Sequence, residues 1–328
     1  MPDRVPAVSV LIKAYNHAAY VEQAIRSVLE QSFQDFEIVV TDDASTDETA
    51  ALVERFTDER IRFQRLQVNH GIPAAMNATV RRARAPLLAI LNSDDFMLPD
   101  RLTEQVAFLR EHPEVAAVFS VPLQVDESGR PSEGFGDVFA VPFAHPGPNR
   151  REWLRHFFFS GNCLCAPSAT IRSSAFQAIG PDDVRLAHLA DLDRWIKLLR
   201  QHEIHVMTGQ LTAFRVRANQ GNASAARSDT LLRDTFESFE IFKRYRDFEP
   251  AFLREIFAED IARLGIGPDR SNGALLGELA LTGRKSWHPL FALDVLFAAA
   301  RDEPGVRRLH ELTGSVDAFR ILRPGDPR

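Results

Sequence analysis

Between Ala7 and Val121 the chain alternates short apolar runs with longer stretches in which apolar residues recur every three or four positions. Ala7–Ile12 is β-branched and apolar and predicts a strand buried on both faces, closed by the polar turn Lys13-Ala14-Tyr15-Asn16-His17. From Tyr20 to Gln31, residues Val21, Ala24, Ile25, Val28 and Leu29 share one helical face, and Phe36–Val40 reads as the second strand. Thr49–Phe56 is helical, Ile61–Leu66 a third strand, Pro73–Arg84 a helix. The first half of Pro86–Pro99 is again strand, followed by a helix at Arg101–Glu111 and a strand at Val115–Val121. Strand, helix, strand requires a crossover and parallel pairing, so the expected fold class is α/β: a mostly parallel, Rossmann-like sheet with helices on both faces.

Beyond this half the pattern changes. Gln124–Arg150 is rich in Gly, Pro and acids and predicts an irregular excursion that opens with a hairpin turn at Asp126–Pro131, at the rim of an acceptor site. Phe157–Ile171 passes through Gly161-Asn162 into a helix at Ser174–Ile179 that stops at Gly180. The cluster Ala190-Asp191-Leu192-Asp193-Arg194-Trp195 opens a helix running to Gln201, with Asp191 one position off its buried stripe. Short strands follow at His205–Met207 and Leu211–Val216. After about Ala225 only amphipathic helical patterns remain, at Leu231–Tyr245, Ala251–Leu264, Gly273–Leu281 and Pro289–Ala300, which predicts a helical appendage over 225–328.

Composition narrows the class. At 328 residues, 45% hydrophobic and 26% charged, the chain matches an ordinary globular protein, and a net charge of −6 gives no electrostatic reason to expect nucleic acid as a partner. Only four of the 39 basic residues are Lys. No apolar run reaches the roughly 18 residues of a membrane span and no signal-peptide pattern opens the chain, so the expected location is the cytoplasm. Cys163 and Cys165 stand too close in sequence for a bridge and are expected to be reduced core thiols.

The chemistry concentrates where strands end. The run Leu87–Leu91 breaks without a spacer into Asn92-Ser93-Asp94-Asp95. Adjacent carboxylates at the edge of a core repel each other, and a hard divalent cation offsets that charge. Acids capping the next helix explain the same residues. Tyr15 follows the first strand and Asp42-Asp43 the second, so three loops converge beyond the carboxyl ends of a parallel sheet, where ligands bind.

Taken in order, Val-Ser-Val-Leu-Ile-Lys-Ala-Tyr-Asn at 8–16, the run at 27–47 ending Thr-Asp-Asp-Ala-Ser-Thr-Asp, Asn-Ser-Asp-Asp at 92–95 with Pro99 and Leu102, Ala-Asp-Leu-Asp-Arg-Trp at 190–195, and Phe-Arg-Val-Arg at 214–217 with Asn219 and Ser224 resemble the family 2 glycosyltransferases of the GT-A fold. The resemblance covers roughly Val8–Ser224. It implies a GT-A domain over 1–224, with a nucleotide-sugar half at 1–122 and an acceptor half at 123–224, and an inverting transfer of a sugar from a nucleoside diphosphate donor, with UDP or dTDP favoured, to a glycan, lipid-linked or protein-linked hydroxyl. By the same resemblance Ala14, Tyr15, Asn16, Asp43, Asn77, Ser93, Asp94, Arg215 and Arg217 surround the donor. Tyr15 would stack on the base and Asp43 accept from a pyrimidine N3–H. Asp95 would ligate Mg²⁺ or Mn²⁺ directly, with Asp94 as the other acid of the metal-binding DXD-type motif, nearer the ribose. Asp191 would be the catalytic base, with Asp193 a competitor.

Three positions depart from the family's habits: Ala190 where an acid commonly precedes the base, Asn92 where Asp is common, and Arg217 where His is frequent. A nucleotidyltransferase would want a Gly-rich loop after the first strand, and residues 13–17 contain no Gly. A degenerate, non-catalytic scaffold is the other alternative. Among the histidines, His17, His70, His188 and His205 are expected not to be metal ligands. The C-terminal helices, with Trp287, Phe291 and Phe297 near Arg284, Lys285 and Arg301, suit a homodimer contact, peripheral docking at the inner face of the plasma membrane, or plain packing.

Overall fold

The structure is a computed structural model that describes residues 4–132, 145, 147–217, 222, 228–301 and 303–314. The chain separates into two compact units, Met1–Arg150 with Cys163–Ala226, and Arg151–Asn162 with Arg227–Arg328.

The first unit is built on one sheet. Its strands are β1 (Val8–Ala14), β2 (Phe36–Asp42), β3 (Ile61–Arg65), β4 (Leu87–Asn92), β5 (Phe96–Met97), β6 (Val115–Val125), β7 (Thr170–Arg172) and β8 (Glu203–Arg215), in the order β3-β2-β1-β4-β7-β6-β8-β5. β3, β2, β1 and β4 pair in parallel, as do β6 and β8, so the parallel expectation holds in two blocks. Between them β7 runs antiparallel to both β4 and β6, and β5 runs antiparallel to β8. The register of β1 sets Lys13 beside Asn92 on one side and Thr41 on the other, bringing the three strand ends level.

Helices α1 (Val21–Leu29), α2 (Thr49–Glu54), α3 (Ile72–Arg82), α4 (Arg101–Glu111), α6 (Ser173–Ala178) and α7 (Ala190–Leu199) belong to this unit. α1 buries Val21, Ala24, Ile25 and Val28 in the core that holds Val10, Ile12, Val40 and Leu91. Each such side chain contributes about 1.5–3 kcal/mol by leaving water. β7 is only three residues long, and the buried Arg101 fills out its junction with β4. Its guanidinium donates to the carbonyls of Ile90 (2.9 Å), Ala169 (3.0 Å) and Pro167 (2.6 Å), adding to the Ile90 N–H bond that Ala169 O already accepts (2.8 Å).

Several boundaries differ from the sequence-based expectation. The strand expected at Val115–Val121 continues to Val125, and the two segments at His205–Met207 and Leu211–Val216 are one strand that pairs along β6 with register shifts. The turn after it forms as expected: Asp126 N–H donates to Arg130 O and Gly129 takes a left-handed φ of 82°. Residues 133–144 of the expected excursion, with Asn219 and Ser224, lie outside the described residues.

The second unit is helical: α5 (Arg150–Ser160, from Arg151 onward), α8 (Ser228–Phe242), α9 (Pro250–Ile256), α10 (Ala258–Leu264), α11 (Asn272–Ala280), α12 (Trp287–Ala299) and α13 (Glu303–Thr313). α5 was not anticipated as a helix, and the single helix expected at Ala251–Leu264 breaks at Phe257. Phe158 of α5 sits at the centre, its ring 5.0–5.8 Å from those of Phe242, Tyr245, Phe257 and Phe291. Tyr245 Oη donates to Leu154 O (2.8 Å), and Arg155 pairs through two nitrogens with Asp260 (2.6 and 2.9 Å). α11 and α12 pack closely because position 277 is Gly: a Cβ there would lie 2.4 Å from Leu296 Cγ. Among the described residues no helix is long and apolar enough to cross a membrane.

Candidate active site

The loops after β1 and β2 are stapled together. Asn16 N–H donates to Ser45 Oγ (2.9 Å) and Asn16 Oδ1 accepts from Thr46 N–H (2.8 Å). His17 N–H meets Thr49 Oγ1 (2.8 Å), Ala18 N–H meets Asp47 (3.0 Å), and Asp42 accepts from Ser45 N–H (2.9 Å). Asn16 and Ala44 both hold a left-handed backbone, φ 52° and 61°. Two non-glycine residues in that region within one loop pair mark a geometry the surrounding hydrogen bonds impose. Tyr15 is left 44% exposed on this rim, an aromatic face open at the strand ends.

Asp43 lies one residue beyond β2. Its N–H donates to Ala14 O (2.8 Å), and its carboxylate accepts from the backbone N–H groups of His70 (2.9 Å) and Gly71 (2.8 Å). Ala14 therefore fixes Asp43, and Asp43 fixes the turn into α3, where Gly71 has φ 87°. Each carboxylate oxygen keeps a second lone pair for a ligand.

The acid pair divides by environment. Asp95 is buried, with Oδ1 accepting from Arg215 N–H (2.8 Å) and Oδ2 from Asn92 Nδ2 (2.9 Å). Burial, then the neighbouring Asp94 charge, pushes its carboxyl well above the usual carboxylate range. Asp94 turns toward basic groups: its Oδ2 is 3.8 Å from His17 Nε2 and 3.9 Å from Arg217 Nη1. Ser93, fully buried, meets His17 Nδ1 through its hydroxyl (2.7 Å), and Arg217 Nη1 lies 3.1 Å from His17 Nε2. His17 is thus a site residue that sequence reasoning passed over, since Ser93, Asp94 and Arg217 are remote from it in the chain. Burial lowers its pKa, which keeps the ring neutral at pH 7.

Arg215 differs from the expectation of a donor contact. Its buried guanidinium donates to Asp94 O (2.7 Å), Asp126 O (3.0 Å), Glu127 O (2.6 Å) and Gln23 Oε1 (2.6 Å), with Tyr20 and Phe96 rings beside it. Four of its five N–H donors are taken by protein, so it braces the acid pair against the turn after β6. Asn77 is likewise occupied: its amide donates to Asp182 O and accepts from Asp182 N–H, both at 2.9 Å. Asp182 in turn grips the buried Arg194 through both carboxylate oxygens.

Asp191 occupies the first turn of α7, its Oδ1 accepting from Leu192 N–H (2.8 Å). Burial raises its carboxyl, and the Arg194 charge offsets part of that rise. Asp193, fully buried, pairs with Lys197 (2.7 Å) one turn on.

Among the described residues no group of three or more His, Cys, Asp or Glu side chains gathers as a metal cage. The donor set is the adjacent carboxylates of Asp94 and Asp95, and burial disfavours the charge of Asp95. Two hard carboxylate ligands fit Mg²⁺ or Mn²⁺, which would complete their shell from substrate phosphates.

A sheet of this order, with carboxylates and an aromatic rim at its strand ends, defines the chain as a glycosyltransferase of the GT-A fold. The description "Glycosyl transferase family 2" matches residues 9–180, and the chain belongs to that family. It is 29% identical over 201 residues to EpsE of Bacillus subtilis (strain 168), which carries a glycosyltransferase name, covering 60% of this chain and 68% of that one. It shares 42% identity over 104 residues with the succinoglycan biosynthesis protein ExoO of Rhizobium meliloti (strain 1021), 32% of this chain and 30% of the relative. Its fold matches S. aureus TarS 1–349 solved with UDP-GlcNAc, at TM-score 0.65 and 19% identity over 95% and 89% of the two chains. The mannosyltransferase PcManGT of Pyrobaculum calidifontis, solved with GDP-Man and Mn²⁺, matches at TM-score 0.54 and 19% identity over 97% and 84%.

Proposed function

We propose that this chain is an inverting, divalent-metal-dependent transferase that moves a sugar from a nucleoside diphosphate donor to a hydroxyl on a glycan, a lipid-linked or a protein-linked acceptor. The observation that carries the reading is the grouping of Tyr15, Asp43, Asp94 and Asp95 at the level ends of β1, β2 and β4, with Asp191 at the start of α7.

Tyr15 offers its exposed ring to the base. Asp43, held rigid by two backbone N–H groups, has lone pairs for an N–H of the same base. Asp94 and Asp95 would hold the metal, which when bound neutralises charge on the departing diphosphate. Arg217, partly exposed beside Asp94, supplies a further positive group to the phosphates. Asp191 takes the proton from the acceptor hydroxyl as that oxygen attacks the anomeric carbon from the side opposite the diphosphate, so the carbon inverts in one step. Its raised pKa makes it a stronger base than an exposed Asp, and the neutral Ala190 beside it adds no second charge. A lipid-linked acceptor would be met at the inner face of the plasma membrane.

The test is a panel of UDP-, dTDP- and GDP-sugars with Mn²⁺, read by calorimetry and by release of nucleoside diphosphate. At least one donor should bind, and EDTA should abolish turnover. No binding across the panel, or full turnover in EDTA, overturns the reading.

A further inference from the structure

One of the four lysines in the chain stands in the middle of this constellation. Lys13 is the penultimate residue of β1, level with Asn92 of β4, and Nζ donates to Asn92 Oδ1 at 2.6 Å. Asn92 passes its own amide hydrogen to Asp95 Oδ2 (2.9 Å), which ties the ammonium to the acid pair through one intervening side chain. Burial lowers the pKa of this partly buried ammonium and the Arg194 charge lowers it further, while Asp94, Asp95 and Asp182 offset part of that; it in turn acts on Asp191. It therefore lies between the acid corner and the base, where the diphosphate and sugar of a donor would run.

Two other basic side chains of this region are committed elsewhere, and Arg217 stands beside Asp94. Arg215 spends its guanidinium on three carbonyls and Gln23, and Arg194 spends its own on Asp182. An ammonium has three N–H donors, and among the described residues Lys13 uses one of them, on Asn92. A cation already seated in low-dielectric surroundings needs little reorganisation to meet an anion.

We propose that Lys13 is a fixed cationic contact for the donor's diphosphate, a positive centre in addition to the divalent metal and Arg217 and independent of the metal. The inference rests on the donor site assigned above. It predicts that a nucleoside diphosphate keeps measurable affinity without metal, and that this residual affinity depends on the Lys13 charge.

The experiment titrates UDP, uridine, GDP, guanosine and inorganic pyrophosphate into the full chain and into its Lys13→Met and Lys13→Arg variants, in EDTA and in Mn²⁺, with circular dichroism to confirm the fold. Lys13→Met should weaken the diphosphate of the preferred base, and pyrophosphate, by about tenfold in EDTA as in Mn²⁺ while the nucleoside is unmoved. Lys13→Arg should restore most of the loss. Unchanged diphosphate affinity in Lys13→Met, or an equal loss for the nucleoside, overturns the proposal. If the wild-type chain takes pyrophosphate but no nucleotide, and Lys13→Met does not take pyrophosphate, the donor assignment fails while the anion contact stands.

Discussion

Arg215 holds Asp95 and Asp94 at once: its backbone N–H meets Asp95 Oδ1 at 2.8 Å and its Nε–H meets the Asp94 carbonyl at 2.7 Å. One residue at the end of β8 thereby sets the backbone and one carboxylate of the acid pair. Replacing it with Met keeps an unbranched apolar stem but loses the guanidinium over the Tyr20 and Phe96 rings and leaves the carbonyls of Asp94, Asp126 and Glu127 and Gln23 Oε1 without that donor. Arg215→Met should destabilise the fold by about 3–5 kcal/mol, read as a lower urea midpoint at unchanged slope. Arg215→Lys should recover little, because one ammonium cannot span those four acceptors. A variant as stable as wild type would show that the turn after β6 does not depend on the guanidinium.

Asp191→Asn should leave donor affinity within about twofold and lower transfer by roughly 10²–10⁴-fold, since the amide cannot accept the proton. The pH profile gives a second check. A base loses activity as pH falls through its pKa, and burial raises that of Asp191, so the acid limb of kcat/KM should lie above the pH at which an exposed Asp titrates. Retained turnover in Asp191→Asn would place the base elsewhere.

Asn77→Ala separates positioning from donor contact. Its two hydrogen bonds go to the Asp182 backbone, and Asp182 holds the Arg194 charge beside Asp191. The variant should keep nucleotide affinity within about twofold and lower kcat by about tenfold, with the acid limb moved upward as Arg194 loosens. A fall in nucleotide affinity at constant kcat would put Asn77 in direct contact with the donor instead.

The strand ends were legible because a buried strand cannot continue through Asn92-Ser93-Asp94-Asp95, and the alternation of periods located β1 to β4 to within one or two residues. What those acids face was not legible. Arg215 and Arg217 are the same residue type two positions apart, yet one is walled in by carbonyls from the turn after β4 and the turn after β6, while the other meets His17 beside Asp94. β8 read as two pieces because Thr208-Gly209-Gln210 is polar, and its continuity comes from pairing with β6 across register shifts. α5 was hidden because its apolar residues Trp153, Leu154, Phe157 and Phe158 sit within a segment whose partners lie 84 to 133 positions downstream in the second unit.

Neither cysteine should react with a thiol reagent at pH 7 in the native chain. Burial pushes Cys163 up to about 12 and raises Cys165 well above the usual thiol range, so almost no thiolate is present at either. Both should label once the chain is unfolded in guanidinium. Rapid native labelling of Cys165 would show local opening around Ala166–Ser168.

The antiparallel strand β7 has a consequence for synthesis. Everything in the β3-β2-β1-β4 block is encoded before residue 93, so that half can collapse while the rest of the chain is still being made. Its outer edge at β4 then waits for Thr170–Arg172, and a fully apolar strand edge is exposed to other nascent chains in the interval. In the finished fold the Arg101 guanidinium, encoded soon after β4, spans this seam, donating to Ile90 O on one side and Ala169 O on the other.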